Sequence, residues 1–279
     1  MLWPVVKPWA LMTISSCYLP VTVVKLIAAG DFSTLFSWQA FNDAWFGNFW
    51  VFMGPRSKAE AEKWVLPLLE GRIRAGSITT TKVNQPIEGV ILEVGAGSGM
   101  WTQILANIIK ASNTTSRKGT TRVFGVEPNP ISAAALKRRV DEVGLEGTYE
   151  VVPVGIEDLE KETSLGPGSV DCIITVQCLC SIPEPEKNVA LLYNYLKDGG
   201  RWYVYEHIKA EDGLVIPLFQ RFTNYFWEYI MGSCHLCRSS LRTIANAGEW
   251  EHIDLARRSE EPSYAVIPHA VGTLTKAKK

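Results

Sequence analysis

Apolar and polar positions divide the chain into two parts with different patterns. The stretch Leu2–Gly30 is mostly apolar, and Pro55–Glu70 has the spacing of an amphipathic helix with a break at Pro67. From Val83 onwards, short apolar runs alternate with helix-length segments. Such alternation predicts a parallel sheet whose strands are joined by crossover helices.

Seven apolar runs in the second part have the length and composition of β-strands. They are Val90–Val94, Arg122–Val126, Tyr149–Pro153, Val170–Thr175, Gly200–His207, Glu249–Leu255 and Ser263–Val271. The segments between them predict helices over Trp101–Lys110, Ile131–Val143 and Pro185–Leu196, a turn over Asp198–Gly200 and a polar surface loop over Ala111–Thr120. The pattern therefore predicts an α/β fold with a helical insertion between the fifth strand and the last two.

The apolar N-terminal stretch is broken by Pro4, Pro8, Pro20 and Lys25. It therefore falls short of the roughly 20 unbroken apolar residues that a membrane-spanning helix needs. Three interpretations stay open: an anchor that lies on a membrane, a spanning helix, and a helix that covers the active site of the protein itself. A removable signal peptide is not favoured, because the positive flank is weak and no small-residue cleavage site stands out.

Composition and charge argue against a nucleic-acid partner. The 279 residues carry a net charge of −1, and no basic run has the length or aromatic interleaving of a nucleic-acid surface. Ten tryptophans is a high count, and tryptophan is typical of membrane interfaces and apolar binding sites. We expect no nucleic-acid partner.

A glycine-rich turn follows the first strand of the predicted sheet. Gly95, Gly97 and Gly99 come directly after Val90–Val94 and before a predicted helix. Glycines tolerate positive φ angles and leave room for a ligand against the backbone, so the turn suits a nucleotide-like cofactor. Nicotinamide-binding folds use a related turn with Gly-x-Gly-x-x-Gly spacing, which this turn does not have.

Side chains at the ends of the first four strands are the other predicted cofactor contacts. Glu127 follows the second strand, where a carboxylate accepts both ribose hydroxyls in dinucleotide folds, and Glu93 can hold a cationic amino group. Ile156 and Glu157 lie after the third strand, where an adenine ring would rest, and Gln177 lies at the exit of the fourth. The alternative is that the carboxylates are solvated or cap turns.

Four stretches of the sequence match one family. They are Val90–Gly99, Gly125–Pro130, Gly168–Asp171 and Leu196–Gly200. Together they resemble the class I S-adenosylmethionine (SAM)-dependent methyltransferases, whose fold is a Rossmann-like seven-stranded sheet. Further stretches resemble the membrane-associated methyltransferase-like branch, whose members include alkyl thiol methyltransferases. These are Cys180–Ile182, Glu206–Ile208, Asn224–Trp227, Gly232–Arg238 and Pro268-His269.

The resemblance implies SAM as cofactor and methyl transfer to a small lipophilic acceptor, with a thiol favoured. It leaves open N- or O-methyl transfer to a secondary metabolite or a modified peptide. It implies a methyltransferase domain over residues 81–279, after an apolar extension over residues 1–80 for which the roles of membrane anchor and of lid both stay open. The enzyme is then membrane-associated and faces the cytosol, or is cytoplasmic. Gly155 stands where many members carry an acidic residue, so backbone groups are expected to recognise adenine.

Two histidines are candidates for removing a proton from the acceptor. His207 ends the fifth strand, and His235 lies in the insertion that is expected to cover the acceptor. The alternative for each is a structural histidine, hydrogen-bonded within the fold. The aromatic run Phe219–Tyr229 has near-helical spacing and is expected to be core or an apolar lid over the acceptor.

The cysteines do not predict a metal site. Cys178 and Cys180 are separated by a single residue, which is too close for a zinc-binding pair, although Cys234 and Cys237 have suitable spacing. We therefore expect no metal, and reduced, buried thiols.

Overall fold

The computed structural model describes residues 2–115 and 121–278. Its helices are α1 (Trp3–Ala29), α2 (Phe32–Phe36), α3 (Trp38–Leu69), α4 (Thr102–Thr115), α5 (Pro130–Glu142), α6 (Leu159–Glu162), α7 (Pro185–Tyr195), α8 (Val215–Ile230) and α9 (Ser240–Ala245). Its strands are β1 (Ile73–Arg74), β2 (Ser77–Ile78), β3 (Val90–Val94), β4 (Arg122–Val126), β5 (Tyr149–Val152), β6 (Val170–Val176), β7 (Leu196–His207), β8 (Trp250–Arg257) and β9 (His269–Lys276).

Seven strands form one sheet in the order β5-β4-β3-β6-β7-β9-β8. The strands β3 to β7 are parallel, and β8 pairs antiparallel with β9. This is the predicted Rossmann-like class I methyltransferase sheet, with α8 and α9 as the predicted insertion. The strand order reverses between β3 and β6. In open α/β sheets, ligands bind outside the carboxyl ends of the strands at such a reversal.

The chain forms two compact units. The helical unit comprises the residues up to Ala61 together with His207–Ser239 and Glu260–His269. The sheet unit comprises Glu62–Glu206, Ser240–Ser259 and the residues from Ala270. The domain division predicted near residue 80 stays a prediction.

The helix α1 continues through Pro8 and Pro20, two of the residues that interrupt the apolar run of the sequence. Pro4 lies in the first turn, where the missing N–H costs nothing. The interior prolines are tolerated because one stripe of the helix, which includes Pro8 and Met12, is buried. Among the described residues, α1 is the one helix that is long and apolar enough to cross a membrane, with a mean hydropathy of 1.6.

The helix α3 begins at Trp38 and continues to Leu69, so the predicted start at Pro55 and the break at Pro67 were wrong. Upstream of Pro55, Trp45 and Phe49 are buried. Their packing stabilises helical turns that local sequence signals did not mark.

Three other elements differ from the prediction by more than two residues at a boundary. The strand β9 begins at His269 rather than Ser263, because Pro268 has no N–H to donate to a strand ladder. The strand β7 already begins at Leu196, and its pairing with β6 shifts register where a turn was predicted. The helix α4 continues to Thr115 into the predicted loop, and residues 116–120 of that loop lie outside the described residues.

Candidate active site

The glycine turn after β3 has the backbone shape that its sequence predicted. Gly95, Gly97 and Gly99 have φ angles of 67°, 56° and 84°. The N–H groups of Gly95 and the next residue donate to the carbonyl of Val126 at 3.0 and 3.1 Å, which ties the turn to the end of β4. A Cβ at Gly95 would lie 2.5 Å from the Cβ of Cys178, whereas a Cβ at Gly97 would meet no atom within 4 Å. The turn therefore has open space at Gly97.

Glu127 lies beside this turn and braces it. Its Oε2 accepts a hydrogen bond from the N–H of Gly97 at 2.9 Å, and its Oε1 accepts one from the N–H of Asn129 at 3.0 Å. Burial raises the pKa of Glu127, and the two backbone N–H donors oppose that rise. A carboxylate has about four lone-pair positions, so about two remain for hydroxyl donors.

Glu93 is buried in β3 and pairs with a residue that sequence reasoning missed. The hydroxyl of Tyr149 donates to Glu93 Oε2 at 2.5 Å. Burial raises the pKa of Glu93 to about 7, against the lowering effect of the Tyr149 hydrogen bond. Among the described residues, the other oxygen, Oε1, has no hydrogen-bond partner.

Gly125 makes this pairing sterically possible. A Cβ at Gly125 would lie 2.0 Å from the Tyr149 hydroxyl, so the ring occupies the space of the missing side chain. A glycine inside a strand is a signal of close approach. That signal was present in the sequence, although it did not identify Tyr149 as the group that approaches.

The exit of β6 is held by a carboxylate that was also missed as a site residue. Gln177 has a φ of 53°, and its N–H donates to the carbonyl of Tyr205 at 2.8 Å. Glu206, fully buried in β7, accepts hydrogen bonds from the N–H groups of Cys178 and Leu179 at 3.1 and 3.3 Å. Because Cys178 lies against Gly95, Glu206 positions one wall of the glycine turn.

The two residues predicted near adenine have different surroundings. Ile156 belongs to the hydrophobic core of the sheet unit, whereas Glu157 is exposed. The Glu157 carboxylate folds back over Gly155, 2.5 Å from the position of an added Cβ. Their contacts with a cofactor stay predictions.

The two predicted catalytic histidines have partners within the helical unit. His207 is buried, and its Nε2 lies 3.2 Å from Cys234 Sγ. His235 Nδ1 lies 2.9 Å from Glu228 Oε1. Asn224 donates to the same carboxylate and accepts from the backbone N–H of Leu236, which orders the loop that carries Cys234.

A third histidine forms a buried pair that sequence reasoning did not predict. His269 Nδ1 lies 2.7 Å from Glu261 Oε1, and its backbone N–H donates to Glu261 Oε2 at 2.5 Å. Burial lowers the pKa of His269 to about 4, with Glu261 opposing that shift. Its imidazole is therefore neutral at neutral pH.

Known proteins are similar to this chain in sequence. A family model described as a methyltransferase domain matches residues 64–251. Rat thiol S-methyltransferase TMT1B is 26% identical over 191 residues, covering 68% of this chain and 71% of the relative. Human thiol S-methyltransferase TMT1B is 24% identical over 241 residues, covering 86% of this chain and 89% of the relative.

Solved structures show the same fold at low sequence identity. A geranyl diphosphate methyltransferase in complex with SAM has a TM-score of 0.52 and 14% identity, over 84% of this chain and 90% of that one. A Haloferax volcanii complex of the Trm112 activator with a methyltransferase has a TM-score of 0.51 and 15% identity, over 82% of this chain and 96% of that one.

The residues at the glycine turn fit SAM as the cofactor. The open space at Gly97, the remaining lone pairs of Glu127 and the buried Oε1 of Glu93 suit a ligand with ribose hydroxyls and a cationic amino group. The chain belongs to the methyltransferase domain family and is a class I SAM-dependent methyltransferase.

Proposed function

We propose that this chain transfers the methyl group of SAM to the sulfur of a small lipophilic thiol. The observation that carries the acceptor class is the similarity to human thiol S-methyltransferase TMT1B over 86% of this chain. The surroundings of Cys234, the partner of His207, agree with an apolar acceptor. They include Met12, Trp227 and Met231 of the apolar core of the helical unit.

In this proposal the glycine turn and Glu127 hold the cofactor. Gly95, Gly97 and Gly99 let it approach the backbone closely. Glu127 accepts from the ribose hydroxyls with the lone pairs that the backbone leaves available. Glu93 accepts from the ammonium group through Oε1.

The remaining predicted contacts serve the adenine and methionine ends. Ile156 and Glu157 lie beside the adenine ring, and Gln177 closes the site from the exit of β6. When bound, SAM supplies a methyl group on a sulfonium sulfur. Loss of that methyl group leaves a neutral thioether. The residues therefore contribute mainly orientation and proximity.

We assign removal of the thiol proton to His207. His207 would take the proton as the thiol S–H bond breaks. The acceptor sulfur would then bond to the methyl carbon as the bond between that carbon and the sulfonium sulfur breaks, and the neutral thioether would leave. His207 Nε2 lies 3.2 Å from the Sγ of Cys234, so this ring already has a thiol of the chain itself as a neighbour. His235, held by Glu228, has a positioning role through the loop that carries Cys234.

The test of the acceptor is incubation of the full-length chain with labelled SAM and a thiol, an amine, an alcohol and a carboxylic acid of one carbon skeleton. We expect the label in the methyl thioether. Transfer only to the amine, alcohol or acid would instead favour N- or O-methyl transfer to a secondary metabolite or modified peptide. Absence of transfer to every acceptor would contradict the proposal.

The test of the proton acceptor compares His207→Ala with His235→Ala at saturating thiol across pH. We expect the His207 variant to lose turnover most strongly at low pH, where less thiolate is available without a base. Turnover equal to that of the unchanged chain at every pH would exclude His207.

The chain is also proposed to work at a membrane, facing the cytosol. Support comes from α1, whose length and mean hydropathy of 1.6 suit contact with lipid. Fractionation of cells that express the full-length chain tests this localisation. We expect the protein in the membrane fraction, and recovery in the soluble fraction alone would contradict it.

A further inference from the structure

The helix α8 exposes a stripe of large apolar side chains. Its members are Leu214 at the N-cap and, spaced along one face of the helix, Val215, Leu218, Phe222, Tyr225, Phe226 and Tyr229. Tyr225 is 66% exposed and Leu218 is 54% exposed. Apolar patches of this kind on a soluble surface mark interaction sites. The prediction that this aromatic run is core or a lid over the acceptor therefore does not explain why several of its side chains are exposed to solvent.

The opposite face of α8 is fixed to the helical unit. Gln220, Thr223 and Trp227 are buried. The Gln220 amide donates to the carbonyls of Ile208 and Val266 at 3.2 and 2.9 Å, and its oxygen accepts from a backbone N–H. The apolar stripe is therefore held outward by a firmly packed helix.

The stripe is continuous with the apolar surface of α1. The ring of Trp9 contacts those of Phe219, Phe222 and Phe226, with centroid distances of 5.7–6.4 Å. The exposed side chains of α1 include large apolar residues that continue this surface along the helix. They are Leu2 at the N-cap and, within the helix, Trp3, Val6, Leu19, Val21, Val24 and Ile27.

Polar groups on the outward side of α1 are compatible with lipid. The hydroxyl of Thr13 donates to the carbonyl of Trp9 at 2.9 Å, and that of Ser16 donates to the carbonyl of Met12 at 2.9 Å. Such bonds satisfy hydroxyls without water. The charged residues of α1 are basic, and none is acidic.

The packing of α1 indicates that it lies along a membrane rather than crossing it. Its buried stripe runs from Pro8 to Thr22, which is about 21 Å of helix. A crossing helix must place about 30 Å of its length in hydrocarbon. Over that stripe, Trp45 and Asn48 of α3 hydrogen-bond to α1, so a crossing would draw α3 and its exposed Asp43 into the bilayer.

Basic groups lie at one end of the α8 stripe. Lys209 and Arg221 line a cavity of about 340 Å³ together with Leu214, Leu218 and one acidic residue, Glu211. Two cations beside an apolar stripe complement anionic headgroups above acyl chains.

We propose that α1 and α8 form one surface that inserts into a single leaflet of a phospholipid membrane, with Lys209 and Arg221 at anionic headgroups. This inference rests on the proposed membrane association and adds to it α8 as a second contact element and a lying orientation for α1.

The test is co-sedimentation of the full-length chain with vesicles of phosphatidylcholine, with and without phosphatidylserine. The variant Leu218→Ser/Tyr225→Ser removes apolar contact from α8. Its matched control is Ile131→Ser/Ile253→Ser, which changes exposed apolar residues of the sheet unit. Arg221→Gln, with Arg138→Gln as control, tests the headgroup contact.

We expect the α8 variant to bind at least about fivefold more weakly than its control. We expect Arg221→Gln to weaken binding only to vesicles with phosphatidylserine. SAM affinity that matches the unchanged chain verifies that each variant is folded. If the unchanged chain binds no vesicle, the proposed membrane association itself fails. If it binds and the α8 variant binds equally well, only the present inference is overturned.

The orientation of α1 has a separate readout. An epitope placed ahead of Met1 is digested by external protease on sealed membranes if α1 lies along the outer leaflet. Protection of the epitope until detergent is added would show that α1 crosses, and would overturn the lying orientation.

Discussion

The Tyr149 hydroxyl of β5 reaches across β4 to donate a 2.5 Å hydrogen bond to Glu93 of β3. Neighbouring strands lie about 4.8 Å apart, so the phenol must pass over the intervening strand. Gly125, in β4, leaves the space for it. The absence of a side chain at Gly125 thus allows Tyr149 of β5 to bond to Glu93, the carboxylate that precedes the glycine turn.

Gly125→Ala is expected to destabilise the protein by about 1–3 kcal/mol, because the new methyl group overlaps the Tyr149 ring. Chemical denaturation measures this loss. Gly166→Ala is the matched control, since a Cβ there would meet no atom within 4 Å. In a Tyr149→Ala background the Gly125 substitution should cost less. An equal cost in both backgrounds would contradict the steric coupling.

The affinity for SAM is expected to rise with pH around the Glu93 pKa of about 7. The ionised carboxylate attracts the ammonium group of the cofactor, whereas the protonated form does not. Calorimetric titration from about pH 6 to about pH 8 should show this rise in the unchanged chain and not in Glu93→Gln. Comparison with the variant removes the titration of SAM itself.

Tyr149→Phe provides a second test of the pH dependence of SAM affinity. The Tyr149 hydrogen bond lowers the pKa of Glu93, so its removal should move the rise in affinity to higher pH. An identical pH dependence in the unchanged chain and in Glu93→Gln would exclude Glu93 as a cofactor ligand.

His269 is expected to make folding weaker as the pH falls from about 6.5 to about 4. Its pKa is lowered in the folded state, so in this range the unfolded state binds more protons and gains stability as pH falls. The change is at most about 1.4 kcal/mol per pH unit for one proton. Glu93, whose pKa is raised, acts in the opposite direction, so the unchanged chain must be compared with a variant.

His269→Gln provides that comparison, because it retains Glu93 and removes the titrating ring. The difference in unfolding free energy between the unchanged chain and this variant should fall from about pH 6.5 to about pH 4 and then level off. A difference that is constant across this range would show that His269 is not buried in its neutral form.

Local patterns predicted the parts of the fold that local chemistry determines. The strands Val90–Val94 and Arg122–Val126 are confirmed to the residue, because each is an apolar run that is buried in the sheet. The positive φ angles of the glycine turn follow from the glycines themselves.

Contacts that depend on strand order or tertiary packing could not be predicted in this way. Tyr149 and Glu93 are 56 residues apart, and His207 and Cys234 are 27 apart. Their meeting depends on which strands are neighbours and how a long insertion folds back. The start of α3 was missed for a related reason, since buried aromatic residues rather than capping signals stabilise it.

The placement of SAM at the glycine turn is tested most directly by calorimetric titration of SAM into three proteins. They are the unchanged chain, Glu127→Ala and Glu142→Ala, an exposed acidic control. We expect one SAM per chain for the unchanged protein and the control. Glu127→Ala should bind at least about tenfold more weakly, because it loses the ribose acceptor and the brace on Gly97. Equal affinity of Glu127→Ala and the unchanged chain would contradict the placement of the cofactor at this turn.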